Sequence, residues 1–157
     1  MKELQIRQHF LVALFALCVL GCGDGRPSRV PVSGQVFIDG EPLKFGFIRF
    51  VPVGNRPSKG KLDENGRFIL GCFEPDDGAV VGLHRVEVAA CEPINSTQVK
   101  WHAPKKYSAY NDSGLQNEVT GPTDSVRIEL SWDGGRPFVE TDSAGDEEAS
   151  PRKKLAK

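Results

Sequence analysis

The sequence predicts an all-β fold, about seven short strands packed as a β-sandwich. Three observations carry this expectation. The 157 residues include 17 glycines and 11 prolines, and both residues penalise helix interiors. Apolar and polar side chains alternate with a period of two in several short windows, the pattern of half-buried strands. Turn signals such as Asp39-Gly40 and Asn65-Gly66 separate these windows at the spacing of a sandwich.

The elements follow in chain order. Residues 1–21 open with Lys2 and Arg7, then run apolar without a break over the 11 residues Phe10 to Leu20. A spanning helix needs roughly 20 such residues, so this run suits the apolar core of a cleaved signal peptide. Val19-Leu20-Gly21-Cys22 follows at once. It resembles the lipobox of bacterial lipoproteins, in which the cysteine after a small residue becomes the lipid-bearing N-terminus. The resemblance implies export, cleavage before Cys22 and a diacylglycerol on its sulfur, with several acyl chains holding the protein firmly. Gly23 rather than aspartate follows the cysteine. Under the best-known sorting rule this favours the outer over the inner membrane.

Residues 22–29 form the lipidated end of a polar, flexible tether, and residues 30–133 are assigned to the β-domain. Val30, Val32, Val36 and Ile38 alternate with polar or small residues, broken only by Gly34. Asp39-Gly40 is a tight turn, since glycine supplies positive φ. Phe45–Val51 is a second strand with Ile48 and Phe50 inward and Arg49 outward. Lys59–Leu62 is a short third strand. Asp63-Glu64-Asn65-Gly66 is a hairpin turn before a strand over Arg67–Phe73. In Leu83–Ala90, residues His84, Val86, Val88 and Ala90 share one face. A long loop is expected over 92–122, then a last strand over Ser125–Trp132 with Val126, Ile128, Leu130 and Trp132 inward. Residues 134–157 turn from acidic to basic without apolar periodicity and read as a disordered tail.

These motifs together are similar to a known domain. Val32-Ser33-Gly34-Gln35-Val36 with Asp39-Gly40-Glu41-Pro42-Leu43 resembles the opening of the carboxypeptidase regulatory-like domain. Ile48-Arg49-Phe50-Val51-Pro52 resembles its second strand, and Asp63-Glu64-Asn65-Gly66-Arg67-Phe68 its DxxGxF/Y hairpin. Gly82-Leu83-His84-Arg85-Val86-Glu87-Val88 resembles its GxYxVxV strand, with His84 in the aromatic place. Pro104-Lys105-Lys106-Tyr107 with Ser113-Gly114-Leu115 resembles a segment of small envelope lipoproteins built on this domain. The resemblance implies a transthyretin-like, seven-stranded sandwich with a structural or binding role and no cofactor.

Charge and chemistry narrow the function. Without Lys2, Arg7 and Glu3 the chain carries 18 basic and 20 acidic side chains. A nucleic-acid binder needs a basic surface, so that class is excluded. His84 reads as a core or edge histidine, and His102 has no partner at zinc spacing. No GxSxG nucleophile elbow is present, so no enzyme is expected. Asp63, Asn65, Asp76 and Asp77 could offer oxygen to calcium, but the same residues favour turns by bonding their own backbone. Cys72 and Cys91 are an even pair that invites a disulfide in an oxidising compartment. If Arg67–Phe73 and Leu83–Ala90 pair as a hairpin, about 23 Å separates the thiols, and the bond forms only if those strands pair otherwise. Trp101, Tyr107 and Tyr110 stand in the long loop among Lys100, Lys105 and Lys106. They either present a carbohydrate-binding face or pin the loop to the domain edge.

The expectation is a non-catalytic envelope protein, bound to the membrane through Cys22 and acting as a structural or protein-interaction module. The alternative is a ligand-binding lipoprotein that holds a glycan or small solute through the Trp101–Tyr110 loop.

Overall fold

A computed structural model gives the structure of the chain and describes residues 25–141. Residues 1–24, with Cys22 and the segment expected to be a signal peptide, and residues 142–157 lie outside the described residues. The described part is all-β and is divided among several sheets.

The first large sheet has the order β11 (Leu115–Val119), β8 (Gly82–Ala89), β4 (Phe47–Pro52) and β5 (Ser58–Lys61), antiparallel throughout. The second is centred on β2 (Val32–Ile38). On one side β2 pairs in parallel with β12 (Thr123–Leu130). On its other side run β3 (Glu41–Pro42) and β6 (Arg67–Ile69), both antiparallel. Two smaller sheets complete the described chain. β1 (Arg29–Val30) pairs with β7 (Ala79–Val80). β10 (Gln98–Trp101) lies between β9 (Cys91–Pro93) and β13 (Phe138–Thr141).

The period-two reading of the core holds. Val32 and Val36 of β2, Ile48 and Phe50 of β4, Val86 and Val88 of β8, and Ile128 and Leu130 of β12 are buried in one apolar cluster. Both large sheets contribute to it. Each such side chain stabilises by roughly 1.5–3 kcal/mol on leaving water. Asp39 and Gly40 have φ of 47° and 86°, the pair of positive values that a type I′ hairpin turn requires. Gly34, the break in the alternation, is where β12 comes closest. A Cβ there would stand 2.1 Å from the Val126 carbonyl oxygen, at the point where the β2–β12 register shifts.

Several expectations are corrected. The strands at Arg67 and at Gly82 do not form a hairpin, because β6 joins β2 while β8 joins β4 and β11. The stretch 92–122 is not one loop: it holds the end of β9, then β10, a 3-10 turn at Lys105–Ser108, and β11. Trp132 lies past the end of β12 and is half-buried rather than inward. The stretch expected as a disordered tail from 134 begins with β13, which pairs residue for residue with β10 from Gln98↔Thr141 to Trp101↔Phe138. Its composition gave no period because its outward edge and both faces are largely exposed.

Candidate functional site

The aromatic loop singled out in the sequence is anchored at both ends. Pro104 starts the 3-10 turn that buries Tyr107. The Tyr107 hydroxyl accepts the Ser131 N–H at 3.2 Å and donates to the Ser131 carbonyl at 3.4 Å. It thereby satisfies the backbone just past β12. Ser113, also buried, donates its hydroxyl to the Val86 carbonyl at 2.5 Å. Between them the Tyr110 N–H donates to Glu87 Oε2 at 3.1 Å, and Arg49 holds Glu87 Oε1 at 2.9 Å. Glu87 is a carboxylate on the outward face of β8 that this loop has buried. It is tolerated because both oxygens have partners.

Trp101 does not join these tyrosines. Its ring stacks on Phe138 with centroids 6.4 Å apart, and Trp132 meets Phe138 edge-on, also at 6.4 Å. The Trp101 indole N–H donates to Glu140 at 2.9 Å, and Lys105 Nζ reaches the same carboxylate at 2.6 Å. The Lys105 bond and then the indole bond hold the Glu140 carboxyl below its ordinary value. Lys106 reaches Asp133 at 2.5 Å, which lowers the Asp133 carboxyl and raises the lysine. Tyr110 lies elsewhere, under the Arg85 guanidinium at 4.6 Å. The three candidate aromatics therefore form no shared face. Each is engaged within the domain.

His84 is fully buried, with Nε2 on the Val80 carbonyl at 2.8 Å and its ring 5.6 Å from Phe50. It is a core histidine, and its Nδ1 has no partner. His102 Nε2 pairs with Glu92 at 2.8 Å. Cys72 and Cys91 are both free thiols, the first buried with Sγ on the Arg56 carbonyl at 3.5 Å. Asp63 Oδ1 accepts the N–H groups of Asn65 and Arg67, each at 2.8 Å, the self-bonded turn that its sequence favours. Among the described residues no group of three or more His, Cys, Asp or Glu is placed to hold a metal ion, and no helix is long and apolar enough to cross a membrane.

Two carboxylates do more than their sequence context announced. Asp39 accepts the Ser131 hydroxyl at 2.9 Å and the Trp132 N–H at 3.2 Å, tying the first hairpin turn to the end of β12. Asp77 accepts three backbone N–H groups, from Cys72 at 2.6 Å and from Phe73 and Glu74 at 3.2 Å each, and meets Arg29 Nε at 2.9 Å. Burial pushes the Asp77 carboxyl up. The three N–H donors and Arg29 outweigh that and leave it below its ordinary value.

The loop that Asp77 organises presents Phe73, and three guanidinium groups pack on this one ring. Those of Arg26, Arg29 and Arg56 lie 4.9, 4.8 and 5.2 Å from its centroid. These arginines are up to 30 positions apart, and nothing in the sequence groups them. No protein-family model, no curated protein and no solved structure matches the chain.

Proposed function

We propose that the chain is a lipid-anchored envelope protein whose β-domain works as a structural or protein-interaction module and not as a catalyst. The observation that carries this is Val19-Leu20-Gly21-Cys22 at the end of an apolar run too short to span a bilayer. The domain itself is read as a β-sandwich of the transthyretin-like, carboxypeptidase regulatory-like kind. Support comes from two four-stranded sheets that share one core and from the order of the motifs along the chain. The non-catalytic reading is supported by the polar side chains of the domain. Glu87, Asp39, Asp77, Ser113 and His84 each bond backbone groups of the fold, which commits them to holding it together.

Replacing Cys22 tests the anchor. Cys22→Ala should move the protein from the membrane fraction to the soluble envelope fraction, or leave it unprocessed. A variant that is processed normally and stays wholly membrane-bound would sink the reading.

One observation keeps a second reading, carbohydrate or small-ligand binding. Trp101, Trp132 and Phe138 form a partly exposed aromatic group beside Lys105. Glycan titration followed by tryptophan fluorescence addresses it. A saturable change lost in Trp101→Ala would favour this reading over the first.

A further inference from the structure

One end of the described domain gathers unusual features. The chain enters there through Arg26 and Arg29. The Phe73 loop lies there, since Arg26 and Arg29 both pack on that ring. The β4–β5 loop reaches the same place, because Arg56 packs on the ring too. Its first residue, Val53, follows Pro52, which pairs with His84, and so lies beside the Leu83 end of β8. Val81 adjoins β7, which pairs with β1 at the chain entry. Val53 is 87% exposed, Leu83 58% and Val81 57%. Bare aliphatic side chains thus border a cluster of guanidinium groups.

Three like charges on one ring repel one another. Three acids, Glu74, Asp76 and Asp77, border them. Glu74 stands 3.5 Å from Arg26, and Asp77 is turned inward to Arg29 and the loop backbone. Asp76 is exposed beside them. Arg56 pairs with no carboxylate among the described residues. Arg29 is committed to the fold, with Nε on Asp77 and Nη1 donating to the Pro27 carbonyl at 2.9 Å each, whereas an exposed guanidinium such as that of Arg56 can give a phosphate two bonds.

The length of the tether selects where that phosphate comes from. Arg26 lies four positions after Cys22, a step that fully extended reaches at most about 14 Å. The headgroup layer of a bilayer is itself roughly 5–8 Å deep. A chain anchored at Cys22 therefore cannot carry Arg26 far from the lipid phosphates, and the whole Arg26–Phe73–Arg56 end comes with it.

We propose that this end of the domain is a membrane seat: Arg26 and Arg56 meet the phosphates of the bilayer surface, Arg29 fixes the Phe73 ring between them, and Val53, Leu83 and Val81 settle at the apolar boundary. The seat rests on the lipid-anchor reading and adds an orientation to it. Amphipathic surfaces of this composition favour the bilayer interface, and arginine near the surface is drawn to anionic lipid. The domain then stands with the Asp39–Gly40 turn pointing away from the membrane. That turn lies at the other end of β2, about 20 Å from its start at Val32.

The test reads orientation directly. The full mature chain is held on vesicles of phosphatidylethanolamine and phosphatidylglycerol that contain spin-labelled headgroup lipid. Attachment is through its own lipid or through a hexahistidine tag at position 22 on a chelating lipid. A fluorophore is placed on Val53→Cys or Glu41→Cys, each in a Cys91→Ser background with Cys72 buried. Quenching should be severalfold stronger at position 53 than at position 41, and Arg56→Glu should narrow the difference without changing the urea midpoint. Equal quenching at the two positions would overturn the seat. Equal quenching with cross-links between copies through the Phe73 face would overturn it in favour of a second copy as occupant. A native protein that carries no lipid would remove the anchor reading and leave the orientation readout intact, because the tag supplies the attachment.

Discussion

The two large sheets and the small sheet of β9, β10 and β13 are built on different physics. In the former, Ile48, Phe50, Val36 and Val86 are wholly removed from water. In the latter, no residue of β10 or β13 is buried. The small sheet is held instead by ladder hydrogen bonds, by Trp101 stacked on Phe138, and by Glu140 shared between Trp101 and Lys105. The core is close-packed and answers to volume. The small sheet is exposed and answers to individual polar contacts, each of which water and salt weaken. A perturbation of the first should therefore be global, and of the second local.

Phe50→Ala is the hardest blow to this contrast. Phe50 is fully buried between the Phe68 and His84 rings, and emptying such a site costs about 3–5 kcal/mol. Urea denaturation should show the whole domain losing stability, the small sheet included. A small sheet that survives Phe50→Ala would mean that it folds independently.

Asp77→Ala sits between the two cases. It strands three backbone donors and Arg29 around a partly buried loop, and about 1–3 kcal/mol is the expected loss. The depressed Asp77 carboxyl also sets a sign. Its contribution is complete above the ordinary carboxylate value and disappears as pH falls through the lower native one. The urea midpoint of the wild type should thus fall in acid, and Asp77→Ala should flatten that dependence. An identical acid profile in the variant would remove Asp77 from the explanation.

Glu140→Gln should do least. It weakens the link to Lys105 on an exposed sheet, so hydrogen exchange over 138–141 should quicken while the global midpoint stays put. A shift of the global transition would show that β13 supports the core.

The same contrast explains what the sequence disclosed. Val32, Val36, Ile48, Phe50, Val86, Val88, Ile128 and Leu130 were legible because burial on one sheet face imposes a period of two. Asp39-Gly40 was legible because a tight turn needs those residue types. β10 and β13 were not, since strands exposed on both faces have no apolar rhythm and are fixed by partners some 40 positions away. Gly34 read as a blemish in a strand, and its reason is the Val126 backbone pressed against it. Trp101, Tyr107 and Tyr110 were noticed as a group, yet their proximity in sequence concealed three separate tasks. The arginines on Phe73 come from three segments, and only the fold places them on one ring.

The parallel pairing of β2 with β12 reaches beyond stability. It joins the first long strand to the last, and the Asp39–Ser131 bond that reinforces it spans 92 positions. Non-local pairing of this kind comes late, because the intervening chain must close before any contact rewards it. While the chain is being made its central strand has no permanent neighbour on that side, and the domain waits for nearly its whole length to appear. β12 thus acts as a clasp: until Thr123–Leu130 has been made, the sheet centred on β2 stays open along that edge.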